Sequence, residues 1–175
     1  MDPRDRVRGV AMRSESEERA AVVEAARRWV GARYHHYAAI SPAAGEAGAI
    51  DCARILIETF AAAGLIERFV PEEYTTDWHL HRSEERYLAV VERYCRQVGE
   101  GEAELKDRDP EFHVEQGDIV LWRWGRTLSH SAIVTAWPRV VHAFAQERFV
   151  VESDVRCHQT MAERPMRVYS FWGRG

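Results

Sequence analysis

The spacing of apolar residues in the first half of the chain predicts helices. A first helix can be capped by Ser14 or Ser16 and should end near Gly31. A second, strongly apolar helix is predicted over residues 52–63, between Asp51 as N-cap and Gly64 as C-terminal stop. A third should open near Ser83 and run to about residue 99, with an apolar face that includes Cys95.

The pattern changes after Gln116, where apolar residues begin to alternate or form short continuous runs. Five strands are predicted, at residues 119–124, 129–136, 140–145, 149–155 and 168–172. Strands this closely spaced are most easily antiparallel. Helices followed by a run of strands indicate an α+β fold, with the N-terminal helices packed on a C-terminal antiparallel sheet of about five strands.

Length and charge limit the kind of protein that this sequence can encode. With 175 residues and 46% hydrophobic content the chain suits a single domain, predicted over residues 14–175 after a charged, flexible arm at 1–13. The net charge is −4 and the arginines are interspersed with acids, which argues against a nucleic-acid partner. No apolar run is long enough for a membrane span or follows the N-terminus as a signal peptide would. We therefore expect a protein made in the cytoplasm, without a membrane partner.

Cys52 is the candidate nucleophile because it lies at the predicted start of the apolar helix. Free backbone N–H groups and the helix dipole favour a thiolate there, which predicts a pKa below the usual value of about 8.5. A small buried core residue is the alternative, and Cys52 by itself leaves both open. Cys95 and Cys157 complete an odd, widely spaced set, which predicts free thiols, with Cys95 structural.

Two histidines on neighbouring predicted strands supply the groups that a thiol needs. His130 is the candidate base, and His142 can fix the orientation and tautomer of its ring. The two would lie opposite each other if the hairpin turn is centred on Ala136, whereas a two-residue turn at 137–138 would place Ala145 opposite His130. The backbone N–H of Cys52 and the hydroxyl of Tyr34 are candidates to stabilise an oxyanion.

Several short motifs resemble one family in their order along the chain. Together they span residues 31–143, with twelve residues from His130 to His142. They are Gly31-Ala32-Arg33-Tyr34, Asp51-Cys52, Gln116-Gly117-Asp118-Ile119-Val120, Ser129-His130-Ser131-Ala132-Ile133-Val134 and Val141-His142-Ala143. The set is similar to that of the NlpC-type cysteine peptidases, a papain-like group that cuts peptidoglycan stem peptides.

The resemblance implies a papain-like fold and a Cys-His-His triad of Cys52, His130 and His142, with Tyr34 on the oxyanion side. It implies neither metal nor cofactor. The substrate would be a peptidoglycan peptide. Without a recognisable signal peptide or wall-binding repeats, the sequence resembles the phage-encoded members of the family. That resemblance implies phage tail proteins as partners and a peptidase carried by the virion.

Residues that flank the reactive groups are candidates for substrate contact: Asp51, Arg54 and Ser129. Family members commonly have Ser-Gly after Asp-Cys, where this chain has Ala53-Arg54, so preference for a free stem-peptide amine is not implied. Arg54 can bind a substrate carboxylate or form an ordinary helix pair with Glu58.

Two other classes of function stay open. Sets such as His35, His36, His79 and His81 invite a metalloenzyme, but none has the spacing of a known zinc motif. A non-catalytic tail-assembly or interaction protein could keep the peptidase fold. The same thiol and imidazole could also act as an amidase or acyltransferase on another substrate.

Overall fold

The computed structural model describes residues 13–43, 46–72, 86–103 and 113–173. Residues 1–12 of the predicted arm and the predicted start of the third helix at Ser83 lie outside the described residues. The helices are α1 (Glu15–Arg27), α2 (Cys52–Ala62), α3 (Arg86–Tyr94) and the short α4 (Gln159–Ala162). In these ranges, no helix combines the length and the apolar character needed to cross a membrane.

The starts of the first two helices follow from their capping residues. Ser14 and Glu17 form a capping box at α1, in which each side chain binds the other residue's backbone N–H. Asp51 caps α2 by accepting the N–H groups of Ala53 and Arg54. The predicted start of α2 at Cys52 is therefore confirmed, and the helix ends one residue earlier than expected.

The described strands form one mixed sheet of nine strands in the order β2-β3-β1-β8-β7-β6-β5-β9-β4. Among them β1 and β3 pair in parallel, and the other pairings are antiparallel. Their bounds are β1 (Arg33–Tyr34), β2 (Ala39–Ile40), β3 (Ala49–Ile50), β4 (Arg96–Ala103), β5 (Ile119–Trp124), β6 (Thr127–Ala136), β7 (Arg139–Phe144), β8 (Phe149–Asp154) and β9 (Met166–Ser170).

The two faces of the central strands pack against different partners. One face, with Ile119, Ile133 and Val141, joins the apolar sides of α1, α2 and α3 in the main core. The other face, with Val120 and Val134, packs under the segment that contains α4 in a second, smaller core. Alternation of side chains along each strand accounts for this division.

The α+β class is confirmed, while a sheet of about five strands is too small. The predicted strands correspond to β5, β6, β7, β8 and β9. The additional β1, β2 and β3 are two-residue strands between α1 and α2, where no strand is predicted. Strands that short carry no alternation in the sequence that could predict them.

The fourth additional strand replaces the end of the predicted third helix. Residues 96–99 were expected to be helical, but α3 ends at Tyr94 and β4 begins at Arg96, paired with β9. Val98, which has helical spacing from Tyr94 in the sequence, packs instead on the second core. Cys95, at the junction, is 4% exposed in the main core, which confirms its predicted structural role.

A buried arginine ties α1 to the start of β5. The Arg19 guanidinium bonds to the carboxylate of Asp118 at 2.9 Å and to the carbonyl of Gln116 at 2.8 Å. Its outer contacts are an ion pair with Glu15 at 2.7 Å and a stacking contact 4.1 Å from the ring centre of Trp172. Arg19 and Asp118 are 4% and 0% exposed, so their pairing offsets the cost of burying both groups. Glu115 adds a contact to each, through its carboxylate to Arg19 at 3.1 Å and its backbone N–H to Asp118 at 2.9 Å.

Gly117 in the same turn has a backbone that favours glycine. Its φ is +83°, and a Cβ there would meet the Trp172 ring at 3.0 Å. The sequence Gln116-Gly117-Asp118 thus provides, in order, a carbonyl for Arg19, a turn in the left-handed region and a buried counter-charge.

We expect Arg19→Ala to lower the free energy of unfolding by about 3–5 kcal/mol, because it removes the guanidinium that pairs with the buried carboxylate of Asp118. Urea denaturation, monitored by circular dichroism, measures this decrease in the free energy of unfolding. Arg28→Ala is the matched control: it removes an ion pair with Glu24 from the same helix where both side chains are exposed, at a cost below about 1 kcal/mol. Equal losses in the two variants would contradict the buried-pair account.

Candidate active site

Cys52 is the first residue of α2, and its thiol donates a hydrogen bond to the carbonyl of Ser129, 3.7 Å away. Ser129 lies between two β6 residues that pair consecutively with β5, because Trp122 pairs with His130 and Arg123 with Leu128. It is therefore the extra residue of a β-bulge, whose backbone is available to partners outside the ladder. The structure thus places the thiol beside the residue that precedes His130.

Two hydroxyl groups fix the start of α2 against β6. The carbonyl of Cys52 accepts a hydrogen bond from Ser131 at 2.6 Å, and the Tyr87 hydroxyl lies 3.1 Å from the same oxygen. Tyr87 also bonds to the Ser131 hydroxyl at 2.5 Å. Neither role was predicted from the sequence. A tyrosine on the apolar face of α3 has the same spacing as an ordinary core residue.

His130 and His142 form a hydrogen-bonded pair. Nε2 of His130 lies 3.0 Å from Nδ1 of His142, and their ring centres are 5.3 Å apart. The ring of His130 also contacts Trp122, Trp124 and Phe144, which places it on the sheet face of the second core. Nδ1 is the ring nitrogen of His130 that is not engaged with His142. The contact of the Cys52 thiol is with the Ser129 carbonyl, and the approach of His130 to the thiol stays a prediction.

The register between β6 and β7 differs from both predicted alternatives. Ala136 pairs with Arg139 across a two-residue turn, but a bulge then shifts the ladder so that Val134 pairs with Val140. Extended along the strands, this register sets Phe144, and neither His142 nor Ala145, level with His130. The one-residue shift puts both histidines on the same face of the sheet, where they meet diagonally.

Burial makes neutral forms dominant in this site. Burial, followed by the charge of His158, lowers the pKa of His130 to about 3. Burial, followed by the charges of His130 and His158, lowers the pKa of His142 to about 2. For Cys52, burial and then the charge of Asp51 raise the pKa of the thiol to about 12, although backbone N–H groups act to lower it. The predicted net decrease in the thiol pKa is therefore wrong. The helix terminus acts as expected, but desolvation is larger.

Tyr34 lies close to the thiol, at the end of β1. It is partly buried against the main core, and burial followed by the charges of Cys52 and Asp51 raises its pKa. Its hydroxyl is thus a neutral hydrogen-bond donor at physiological pH. Its role in stabilising an oxyanion stays a prediction.

The candidates for substrate contact have structural partners. Both carboxylate oxygens of Asp51, which is 1% exposed, accept backbone N–H groups, including that of Tyr37 at 2.7 Å. Arg54 is buried and pairs with Glu58 at 3.2 Å, which confirms the helix-pair interpretation. Ser129 offers its carbonyl to the thiol. Roles of these residues toward a substrate stay predictions.

His158, a histidine outside the predicted motifs, belongs to the surroundings of the histidine pair. Its ring centre lies 5.8 Å from that of His142 and 6.0 Å from that of Phe144. Over the residues that the structure describes, no group of three or more His, Cys, Asp or Glu side chains is placed to hold a metal ion. His79 and His81 lie outside those residues.

The sequence matches no protein-family model and no curated protein at a significant level. Solved structures do match the fold. NlpC1 from Trichomonas vaginalis has a TM-score of 0.58 at 12% identity, over 94% of this chain and 47% of that one. The chain spans about half the length of the NlpC1 and NlpC2 structures.

Two bacterial structures are similar in the same way. The peptidoglycan hydrolase RipB from Mycobacterium tuberculosis has a TM-score of 0.52 at 16% identity, over 93% of this chain and 70% of that one. An N-acetylmuramoyl-L-alanine amidase from Bacteroides uniformis has a TM-score of 0.50 at 13% identity, over 87% and 98%. The chain therefore has the papain-like α+β fold of NlpC-type proteins and of solved peptidoglycan hydrolases and amidases.

Proposed function

We propose that this chain is a cysteine hydrolase that cleaves an amide bond in the peptide part of peptidoglycan. One observation carries the proposal: the Cys52 thiol, at the start of α2, binds the backbone of the residue next to His130, whose ring is bonded to His142. A thiol, a base and a group that orients the base are the parts that nucleophilic acyl transfer requires.

The first step in this proposal begins from a neutral thiol. When a substrate carbonyl arrives, the thiol leaves the Ser129 carbonyl and gives its proton to Nδ1 of His130, while the sulfur attacks the carbonyl carbon. The negative charge that develops on the substrate oxygen is met by the backbone N–H of Cys52 and the hydroxyl of Tyr34. His142 accepts the Nε2 hydrogen of His130 and stabilises its protonated ring.

In the second step His130 passes that proton to the leaving amine, and the carbon–nitrogen bond breaks to leave a thioester on Cys52. Water then attacks the thioester, with His130 removing the water's proton and returning it to the departing sulfur. The products are a free amine and a carboxylic acid, which releases its proton to solvent at neutral pH. The enzyme returns to its neutral thiol and imidazole.

The substrate class is supported by the fold and by the motif set. Two structural relatives are described as a peptidoglycan hydrolase and an N-acetylmuramoyl-L-alanine amidase. The motifs from Tyr34 to His142 resemble those of NlpC-type peptidases in order and spacing. As a finer part of the proposal, synthesis takes place in the cytoplasm and a phage tail carries the domain to the cell wall.

Digestion of defined muropeptides, followed by mass spectrometry, tests the function. We expect the unaltered protein to release a fragment with a new amino terminus and Cys52→Ala to release none. Cys157→Ala is the matched control, because it removes an exposed thiol outside the proposed site and should cleave at the unaltered rate. Product formation by Cys52→Ala would overturn the assignment. Folded protein that cleaves no muropeptide would favour an interaction protein or another amide substrate.

A further inference from the structure

The hydrogen bond between the two histidines continues to a third side chain. Nε2 of His142 lies 3.1 Å from the hydroxyl of Ser153 on β8. His142 itself pairs with Val151, and Ser153 pairs with Val140, so the contact is diagonal across the strands. His130, His142 and Ser153 thus form one diagonal row on neighbouring strands β6, β7 and β8. We infer that Ser153 is a positioning residue that stabilises the tautomer of His142 with hydrogen on Nε2, and through it the tautomer of His130 that can take a proton on Nδ1.

The inference rests on the proposed function and follows from the two ring contacts. His130 can take a proton from a thiol only if its Nδ1 carries none, so its hydrogen must lie on Nε2. That hydrogen points at Nδ1 of His142, 3.0 Å away, which must then be the acceptor. His142 therefore carries its own hydrogen on Nε2, and the oxygen of Ser153 accepts it.

The opposite tautomer of His142 would disable the base. With hydrogen on Nδ1 of His142, two N–H groups would face each other between the rings unless His130 also moved its hydrogen to Nδ1. A His130 ring with hydrogen on Nδ1 has no lone pair for the thiol. A hydroxyl can accept a hydrogen from Nε2 or donate one to a bare Nε2. Ser153 matters because, without it, the Nε2 hydrogen that the active arrangement needs would be buried without this acceptor.

The surroundings of His142 make this contact important. The residue is 0% exposed, so a tautomer without a partner at Nε2 cannot be compensated by bulk water. The other rings around it belong to His130, Phe144 and His158. Of these, His130 already occupies Nδ1, Phe144 offers no acceptor atom, and His158 approaches edge-on with its ring centre 5.8 Å away.

The test compares Ser153→Ala with Ser153→Thr, which keeps the hydroxyl. Long-range proton–nitrogen NMR spectra of the folded protein report which ring nitrogen of His142 carries hydrogen, and they require no substrate. We expect hydrogen on Nε2 in the unaltered protein and in Ser153→Thr, and a shift toward Nδ1 in Ser153→Ala. With a muropeptide substrate, Ser153→Ala should lower kcat by about 10- to 100-fold with KM nearly unchanged, and Ser153→Thr should retain most of the activity.

The readouts separate this inference from the proposed function. If neither the unaltered protein nor any variant hydrolyses muropeptides, the proposed function fails. The NMR spectra still show whether Ser153 stabilises the tautomer of His142. Hydrogen on Nε2 of His142 in Ser153→Ala, as in the unaltered protein, would overturn the inference. A tautomer shift in Ser153→Ala with an unchanged kcat in an active enzyme would overturn its positioning role. A serine that contributed only to stability would change the urea midpoint without moving the tautomer.

Discussion

Hydrolysis of a muropeptide by His130→Ala should be about 10²- to 10⁴-fold slower in kcat/KM than by the unaltered protein. The variant loses the group that accepts the thiol proton and later protonates the leaving amine. Because burial raises the pKa of Cys52 to about 12, almost no thiolate exists at neutral pH without that base. Steady-state assays by liquid chromatography at pH 7 measure the effect.

The control for this prediction is His113→Ala, which removes an exposed histidine ahead of β5. It should cleave at the unaltered rate. Circular dichroism and the urea midpoint establish that His130→Ala is folded, since the ring it removes packs among Trp122, Trp124 and Phe144. A folded His130→Ala with unaltered kcat/KM would contradict the role of His130 as base.

Acid should destabilise the fold strongly through the same histidines. Burial lowers the pKa of His130 to about 3 and of His142 to about 2, from about 6.5 in the unfolded chain. Below pH 6.5 the unfolded state therefore binds more protons than the folded state. The free energy of unfolding decreases as the pH decreases, until the folded pKa values are reached. At about 1.36 kcal/mol per pKa unit, the pair lowers the free energy of unfolding by about 6 kcal/mol between pH 7 and pH 4.

Urea denaturation at pH 7, 6, 5 and 4 measures this loss, and His142→Asn isolates one half of it. Asparagine keeps hydrogen-bonding atoms but does not titrate, so the variant should lose about 3 kcal/mol less than the unaltered protein over this range. Carboxylates such as Glu152, whose pKa is lowered first by its hydrogen bond to Arg27, contribute equally to both proteins and cancel in the comparison. Identical pH dependence in the two proteins would show that His142 is not the titrating group.

Local signals in the sequence predicted the parts of the site that depend on one element. Asp51 followed by an apolar run placed Cys52 at the start of α2, and alternation placed His130 and His142 on adjacent strands. The features that could not be predicted depend on how one element pairs with another. A bulge near Thr135 determines which face of β7 lies on the same side of the sheet as His130, and no pattern in the sequence predicts that bulge.

The same limit applies to the electrostatics and to the missed residues. The helix terminus predicted a lower thiol pKa, but the degree of burial around Cys52 depends on the packing of distant segments and reverses the sign. Tyr87, Ser131 and Ser153 act through contacts with residues 35, 79 and 11 positions away, respectively. A serine or tyrosine in a helix or strand has many ordinary functions, so nothing in the residue pattern distinguishes these three from others.

The bulge between β6 and β7 also restricts how the gene can change. Because side chains alternate with a period of two, adding or deleting a single codon between Val134 and Arg139 would rotate His142 to the opposite side of the sheet from His130. Indels in this hairpin should therefore be tolerated only in pairs or with a compensating bulge. Any attempt to transplant the two histidines into another scaffold must copy the irregular turn along with them.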